Sequence, residues 1–158
     1  MIYYYYYLLM ISSLQELVNN RTERISWNEY FMSIAIIASS RSSCCKLNVG
    51  SVIVKDNRII SVGYNGHIAG TSHSFNYIRD NHQMETVHSE VNSIVDCAKR
   101  GVSLLNSTIY ITHYPCINCF KMIASCEIKT IYYLNDYKND ELVSLLAKEA
   151  NINIIKYV

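Results

Sequence analysis

The sequence lacks an excess of charge of either sign. Its 14 Lys and Arg residues are balanced by 13 Asp and Glu residues, the formal net charge is +1, and no run of Lys or Arg exceeds two residues. Proteins that bind a nucleic-acid backbone carry a basic stripe or patch, and this sequence shows neither. The charge distribution therefore makes nucleic acid an unfavourable partner and favours a small substrate.

The sequence also lacks an apolar run long enough to cross a membrane. The stretch from Met1 to Ile11, a tyrosine run followed by Leu-Leu-Met-Ile, has about half of the ~20 residues that a bilayer requires. It has neither the basic start nor the small-residue cleavage site of a secretory signal. We expect residues 1–25 to be a tyrosine-rich extension, formed as an extra strand, a packing flap or a disordered tail, on one domain at residues 26–158.

No secretory signal accompanies the six cysteines, and two of them stand in a metal-binding pattern. This usage indicates a reducing compartment rather than a disulfide framework, so we expect a cytoplasmic protein. Half of the 158 residues are hydrophobic, which is enough to give one domain a sizeable core.

Proline is scarce as well, since the chain has only one, and it begins the segment Pro-Cys-Ile-Asn-Cys at residues 115–119. One imidazole and two thiolates form a set that zinc binds well, and three protein ligands leave a fourth position open for water. Structural zinc usually closes its coordination sphere with four side chains, so this pattern indicates hydrolysis. We predict a zinc site with a catalytic carboxylate beside it, formed by His88, Cys116 and Cys119 as ligands and Glu90 as the carboxylate.

Both halves of this motif are expected at the N-termini of helices. Pro115 suits a first helical position, and two cysteines three residues apart share one helix face. The positive end of the helix dipole would lower the pKa of both thiols. His88 and Glu90 can share a pocket only in a first turn, so a helix should open at residues 87–88. The alternative is a buried polar residue, two core thiols and an ordinary first-turn acid.

The rest of the chain alternates between helix and strand patterns. A capping box at residues 26–29 begins a helix to about Ser40, with an apolar stripe expected in the core at Trp27, Tyr30, Phe31, Ile34 and Ala38. A hairpin of two β-branched strands follows at residues 49–54 and 58–64, and then a long loop at residues 66–86. Later helices are expected at residues 88 onward, 115–127 and 140–150, and later strands at residues 107–114, 130–136 and 151–158.

In the last helix Leu142, Leu145 and Leu146 are expected to face inward. Strands that are separated by single helices must lie parallel or cross over. The order of elements therefore predicts an α/β fold, a three-layer α/β/α sandwich with a mixed five-stranded sheet.

Several segments beyond the zinc motif carry a resemblance to a known family. They are Arg41 to Cys44, Val49 to Val54, Gly63 to Gly66, Asn92 with Ile94, Thr112-His113, and Lys121 to Ile123. From about Trp27 to Val158 the chain resembles the deoxycytidylate deaminases of the cytidine deaminase superfamily, whose zinc signature it carries. It departs from their pattern at Ser89, usually alanine, at Ile68, usually proline, and at Ser74, often cysteine.

The resemblance implies an enzyme that hydrolyses dCMP to dUMP and ammonia, supplying dUMP for dTMP synthesis, with dCTP as a further candidate substrate. Zinc lowers the pKa of its bound water from about 15.7 toward 7, and Glu90 carries the proton to ring N3 and then to the leaving amino group. Asn65 would bond the sugar, Tyr137 would close over the nucleotide and Arg41 would hold the phosphate. The alternatives are a turn residue, a half-buried aromatic ring and a solvated charge, respectively.

Some relatives hold a second, structural zinc with residues from the regions of Cys44, Cys45, His73, His82 and His113. The candidates for such a site here are Cys44, His73 and His113, although a free cysteine is often only a small buried hydrophobe. We expect one catalytic zinc per chain.

The resemblance also implies a homohexamer that dCTP activates and dTTP inhibits, with Mg²⁺ accompanying the triphosphate. Two other functions share parts of the motif. A tRNA or RNA base deaminase uses the same zinc signature, and a non-catalytic zinc-stabilised assembly module would need no Glu90.

Overall fold

The computed structural model describes residues 2–74, 77–79 and 82–158. In chain order its helices are α1 (Ile2–Asn19), α2 (Trp27–Ser39), α3 (Ser89–Arg100), α4 (Ile117–Ser125) and α5 (Glu141–Glu149). Its strands are β1 (Gly50–Lys55), β2 (Arg58–Tyr64), β3 (Gly66–His67), β4 (Ile78–Arg79), β5 (His82–Gln83), β6 (Thr86–Val87), β7 (Thr108–His113), β8 (Thr130–Asn135) and β9 (Asn153–Lys156).

Five of these strands form one mixed sheet in the order β2-β1-β7-β8-β9. Strand β1 runs antiparallel to both β2 and β7, whereas β7, β8 and β9 run parallel. Parallel neighbours need a crossover connection, and α4 and α5 supply the two crossovers. The mixed five-stranded sheet that the sequence predicts is confirmed.

Alternating strand residues separate the two faces of the sheet, because successive side chains of a strand point to opposite sides. On one face Val52, Val54 and Tyr110 pack against Phe31, Met32 and Ala35 of α2. On the other face the intervening residues, such as Ile53 and Ile109, join a second core with α3, α4 and α5. One helix on one face and three on the other complete the three-layer α/β/α sandwich.

The start of α2 follows the sequence prediction, but its aromatic stripe does not. Ser26 Oγ accepts the N–H of Glu29 at 3.1 Å, as a capping box requires. Trp27 and Tyr30, expected in the core, are 47% and 41% exposed. Trp27 stacks on the outer side of Phe31, at 5.5 Å between ring centroids, so the ring of Phe31 alone reaches the sheet.

The prediction that three leucines of α5 face inward is a second point that the structure corrects in part. Leu142 and Leu145 are exposed, which contradicts the prediction, whereas Leu146 is partly buried and packs against the core that contains the buried Val143 and Ala147. Positions 143, 146 and 147 share one face of the helix at i,i+3 and i,i+4 spacing, whereas positions 142 and 145 lie off this face. The hydrophobicity of these residues does not show which of them face the core, because the rotation of the helix about its axis is set by the strands at its two ends.

The N-terminal segment forms helix α1, where the sequence predicted a strand, a flap or a disordered tail. A shallow apolar groove separates α1 from α2, with Met10, Leu14 and Leu17 on one side and Ile36 and Ile37 on the other. Tyrosine has no strong helical preference, and no N-cap residue marks the start, so local signals were absent. Within the described ranges, no helix combines the length and apolar character needed to span a bilayer.

The long loop predicted between β2 and α3 is partly ordered into two short antiparallel pairs, β3 with β6 and β4 with β5. Gly66 pairs with Val87, so the two ends of this segment lie side by side. The pairing brings the end of β2 next to the start of α3 and thereby fixes the position of His88.

Candidate active site

The two halves of the zinc motif meet at the N-termini of α3 and α4. His88 is the N-cap residue of α3, Cys116 is the N-cap residue of α4, and Cys119 lies in the first turn of α4. The Nδ1 atom of His88 lies 3.6 Å from Cys116 Sγ and 3.3 Å from Cys119 Sγ. Pro115 precedes the N-cap and does not hold the first helical position, which corrects the sequence prediction by two residues.

These three side chains form a candidate metal centre. Their ligand atoms all lie within 4.8 Å of one another, and no other group of three His, Cys, Asp or Glu side chains in the described part of the chain does the same. One nitrogen and two sulfur donors are a set that zinc favours, and a fourth position remains for water. The donor set therefore fits a catalytic zinc ion.

The cluster already carries part of the charge that a cation would need. A hydrogen bond from the Cys119 thiol, helped by His88, lowers the pKa of Cys116 to about 3. The same hydrogen bond between the two thiols, together with burial, raises the pKa of Cys119. The hydrogen bond with Cys116 also raises the pKa of His88. Because zinc binds thiolate and neutral imidazole, its binding would oppose the raised pKa values of Cys119 and His88.

Glu90 lies in the first turn of α3 and lines the same cavity as His88 and Cys116. Its side chain is buried, and burial raises the pKa of its carboxyl group, which a nearby divalent cation would oppose. The hydroxyl of Ser89, a residue that departs from the usual alanine, donates to Glu90 Oε2 at 2.9 Å. Glu90 is therefore a buried carboxyl group beside the candidate metal centre, held by a hydrogen bond from its neighbour.

The first turn of α3 rests directly on the sheet. Ser51 Oγ donates to the carbonyl of Ser89 at 2.9 Å, and Asn92 Nδ2 donates to the carbonyl of Tyr64 at 2.7 Å. A Cβ atom on Gly63 would lie 2.2 Å from the carbonyl oxygen of Ser89, so only glycine permits this approach. The strands β1 and β2 thus determine where His88 and Glu90 stand.

Residues 25–135 match the family model of the cytidine and deoxycytidylate deaminase zinc-binding region. The chain belongs to this family.

Individual relatives support the family assignment. The chain is 44% identical over 135 residues to ComE operon protein 2 of Bacillus subtilis, covering 84% of this chain and 71% of that protein. It is 33% identical over 143 residues to deoxycytidylate deaminase of Saccharomyces cerevisiae, covering 85% of this chain and 46% of that protein. The chain thus spans less than half of the yeast relative.

A solved structure agrees with the fold as well. The dCMP deaminase of cyanophage S-TIM5, crystallised in complex with dCMP and dUMP, is similar with a TM-score of 0.76 at 29% identity. The match covers 85% of this chain and 99% of that one. The three-layer α/β/α architecture is therefore that of the deaminase family.

The deaminase cavity includes two of the three residues proposed from the sequence for substrate binding. Asn65 and Tyr137 line it, whereas Arg41 is exposed beyond the end of α2 and is not among the lining residues. Asn65 Oδ1 accepts the N–H of Val49 at 2.8 Å, and its Nδ2 donates to the carbonyl of Leu47 at 2.7 Å. Asn65 therefore also fixes the backbone that forms one wall.

The residues considered for a second metal do not come together. Cys44 and His113 line the active-site cavity, while His73 stacks on His67 outside it, with 4.8 Å between the ring centroids. Cys45 contacts Gln83, and the side chain of His82 lies outside the described part of the structure. Cys44, His73 and His113 thus form no metal cluster in the described residues.

Lys46 and Thr86 are polar lining residues that the sequence prediction missed. Lys46 brings a cation to the cavity, and Thr86 brings a hydroxyl oxygen that is buried without a hydrogen-bond partner among the described residues. Lys46 lies in the loop between α2 and β1 and Thr86 in β6, where no periodic pattern marks orientation. One sequence feature could have indicated Lys46, namely its position two residues after the segment Arg41 to Cys44, which carries the family resemblance, and shortly before β1.

Proposed function

We propose that this protein is a zinc-dependent deaminase that hydrolyses dCMP to dUMP and ammonia and so supplies dUMP for dTMP synthesis. The observation that carries the proposal is that the cluster of His88, Cys116 and Cys119 adjoins a cavity whose lining includes His88, Cys116 and the buried Glu90. Relatives named deoxycytidylate deaminase, and the cyanophage enzyme bound to dCMP and dUMP, support this choice of substrate.

Each residue has a distinct role in the proposed reaction. His88, Cys116 and Cys119 would hold zinc, which when bound supplies an acidified water molecule at neutral pH. Glu90 accepts one proton of that water and delivers it to ring N3 of the cytosine as the water oxygen bonds to C4. Glu90 then carries the second proton from the new C4 hydroxyl to the amino group, and the C4–N bond breaks to release ammonia. Asn65 bonds the sugar and Tyr137 closes over the nucleotide.

Two other functions are less well supported. A tRNA or RNA base deaminase would need a basic surface around the cavity, whereas in the part of the chain that the structure describes Lys46 is the one Lys or Arg that lines it. A zinc-stabilised assembly module would have no use for a buried carboxylate beside the metal. Ultraviolet assays with dCMP, dCTP, deoxycytidine and a cytosine-containing oligonucleotide test these alternatives, and turnover of the oligonucleotide alone would overturn the proposal.

The phosphate of the substrate is the subject of the first prediction. Lys46 lines the cavity and Arg41 does not, so we expect Lys46→Ala to raise KM for dCMP by about 10-fold, as the loss of one charge-assisted contact does. KM for deoxycytidine, which has no phosphate, should hardly change. Arg41→Ala is the matched control and tests the residue chosen from the sequence. A larger dCMP-specific loss in Arg41→Ala would return the phosphate role to Arg41.

The number of zinc ions is the second prediction. We expect one zinc per chain, since one candidate cluster occurs in the described residues. The double variant Cys44→Ala, His73→Ala should keep the wild-type zinc content, measured by plasma mass spectrometry on dialysed protein. A content of two zinc ions that falls to one in this variant would establish a second, structural site.

Assembly and regulation form the third prediction. We propose a cytoplasmic homohexamer, with the tyrosine-rich residues 1–25 as an extension of the deaminase domain at residues 26–158, activated by dCTP with Mg²⁺ and inhibited by dTTP. Exposed Trp27, Tyr30 and Ile36 support association, because they are large apolar side chains left uncovered on α2, the helix on one face of the sheet. Light scattering should give the mass of a hexamer and dCMP saturation should be sigmoidal. A monomer would contradict the predicted assembly, and hyperbolic saturation curves unaffected by either triphosphate would contradict the predicted regulation.

A further inference from the structure

The cavity wall carries an imidazole that the proposed reaction does not use. His113 ends β7 and lines the cavity together with Tyr137, whose ring meets it edge-on at 6.3 Å between centroids. The sequence offered this histidine only as a ligand of a second metal, and no such cluster is present among the described residues. The role of His113 therefore has to be sought in the cavity itself.

The hydrogen bonds of Thr112 determine the tautomer of His113. Thr112 is buried, its Oγ1 accepts the N–H of Gly50 at 3.1 Å, and the same Oγ1 lies 3.0 Å from His113 Nδ1. Within the described residues the hydroxyl proton of Thr112 has no other acceptor. Because a buried hydroxyl proton is rarely left unpaired, this proton goes to Nδ1, and Nδ1 must then be unprotonated.

A neutral imidazole carries one proton, so the proton of His113 resides on Nε2. Burial lowers the pKa of His113, which keeps the ring neutral around pH 7. With Nδ1 occupied by Thr112, the free edge of the ring presents a neutral N–H donor to the cavity.

We propose that His113 is a specificity-determining residue that donates an Nε2–H hydrogen bond to an oxygen of the nucleoside, either the cytosine carbonyl or a sugar oxygen, and that Thr112 is the positioning residue that fixes its tautomer. The proposal rests on the proposed function. An uncharged donor suits an uncharged oxygen, whereas the lining cation Lys46 suits the phosphate. The two residues would thus recognise different parts of one substrate.

The tautomer is measured without any reference to turnover. Protein with ¹⁵N-labelled histidine, loaded with zinc, is examined by long-range ¹H–¹⁵N correlation at neutral pH, which distinguishes protonated from bare ring nitrogens. The chain has five histidines, so the signals of His113 are assigned by their loss in His113→Gln. We expect a proton on Nε2 alone. A proton on Nδ1, or on both nitrogens, would overturn the proposal.

The contact is measured by kinetics. We expect His113→Phe, which keeps the ring but loses the donor, to raise KM by roughly 5- to 30-fold with kcat within about threefold, because a contact made equally in ground and transition states acts on binding. The rise should be the same for dCMP and deoxycytidine, and His113→Gln, which keeps a donor, should recover part of it. An unchanged KM in His113→Phe, or a loss confined to dCMP, would refute the nucleoside contact.

Thr112 requires its own control, because it also binds the N–H of Gly50. Thr112→Ser keeps the hydroxyl and should retain both the Nε2–H tautomer and the wild-type KM, whereas Thr112→Val should lose both. A wild-type tautomer in Thr112→Val would remove the positioning role. If the wild-type protein deaminated neither substrate, the proposed function would fail separately, and titration of the His113 signals with dCMP would still decide the contact.

Discussion

Replacement of Glu90 by glutamine is expected to abolish most deamination while leaving the protein folded and loaded with zinc. Glutamine has nearly the same shape, so the buried position beside Ser89 remains filled, but it cannot accept a proton. A general acid–base group contributes about 10²–10⁴-fold at each step, and Glu90 acts in more than one, so kcat should fall by at least ~10³-fold. Among the described residues, no second carboxylate lines the cavity to replace it.

The experiment combines three measurements on Glu90→Gln, namely dCMP turnover by ultraviolet absorbance, bound zinc and circular dichroism. Glu29→Gln is the matched control, since Glu29 also lies in the first turn of a helix. That helix, α2, packs on the opposite face of the sheet from α3, and Glu29 does not line the cavity. The control should keep wild-type turnover. Retention of more than about a tenth of wild-type kcat in Glu90→Gln would show that the carboxylate is not the proton carrier.

Replacement of Gly63 by alanine is expected to lower the rate of deamination, although Gly63 does not line the cavity. The Cβ of Gly63→Ala would lie 2.2 Å from Ser89 O and 2.8 Å from both Ser51 Oγ and Ser93 N. Two of these atoms belong to the backbone of α3, so the helix must move away from β2. Overpacking of this kind costs about 1–3 kcal/mol, and a displacement of about 1 Å at a catalytic group lowers the rate by about 10²-fold.

Gly101→Ala separates this effect from the general cost of replacing glycine. Gly101 caps the far end of α3 at φ 65°, and nothing lies within 4 Å of its Cβ position, so only backbone strain of about 1–2 kcal/mol is expected. Both variants should therefore lose stability in urea unfolding, but only Gly63→Ala should lose turnover. Equal turnover in the two variants would mean that the approach of β2 does not position His88 and Glu90.

The sequence by itself determined the chemistry of the site and the order of its elements. His88, Cys116 and Cys119 are recognisable because metal ligation requires particular ligand atoms, and Glu90 is recognisable because a carboxyl group stands two residues after the ligating histidine. The capping box of α2 and the β1–β2 hairpin are likewise local signals, written in consecutive residues. Alternation of helices and strands then limits the sheet to few arrangements, so the mixed five-stranded architecture followed.

Only the tertiary structure decided which side chains reach the cavity and which face the core. Trp27 and Leu145 are apolar yet exposed, because the face that a helix buries depends on how the helix packs against the sheet. Lys46 lines the cavity in place of Arg41, and His113 lies there instead of in a second metal site. Lys46 lies in a loop and His113 at the end of a strand, where no helical or strand periodicity predicts the direction of a side chain. Their positions depend on contacts between segments far apart in the chain, which local sequence patterns do not encode.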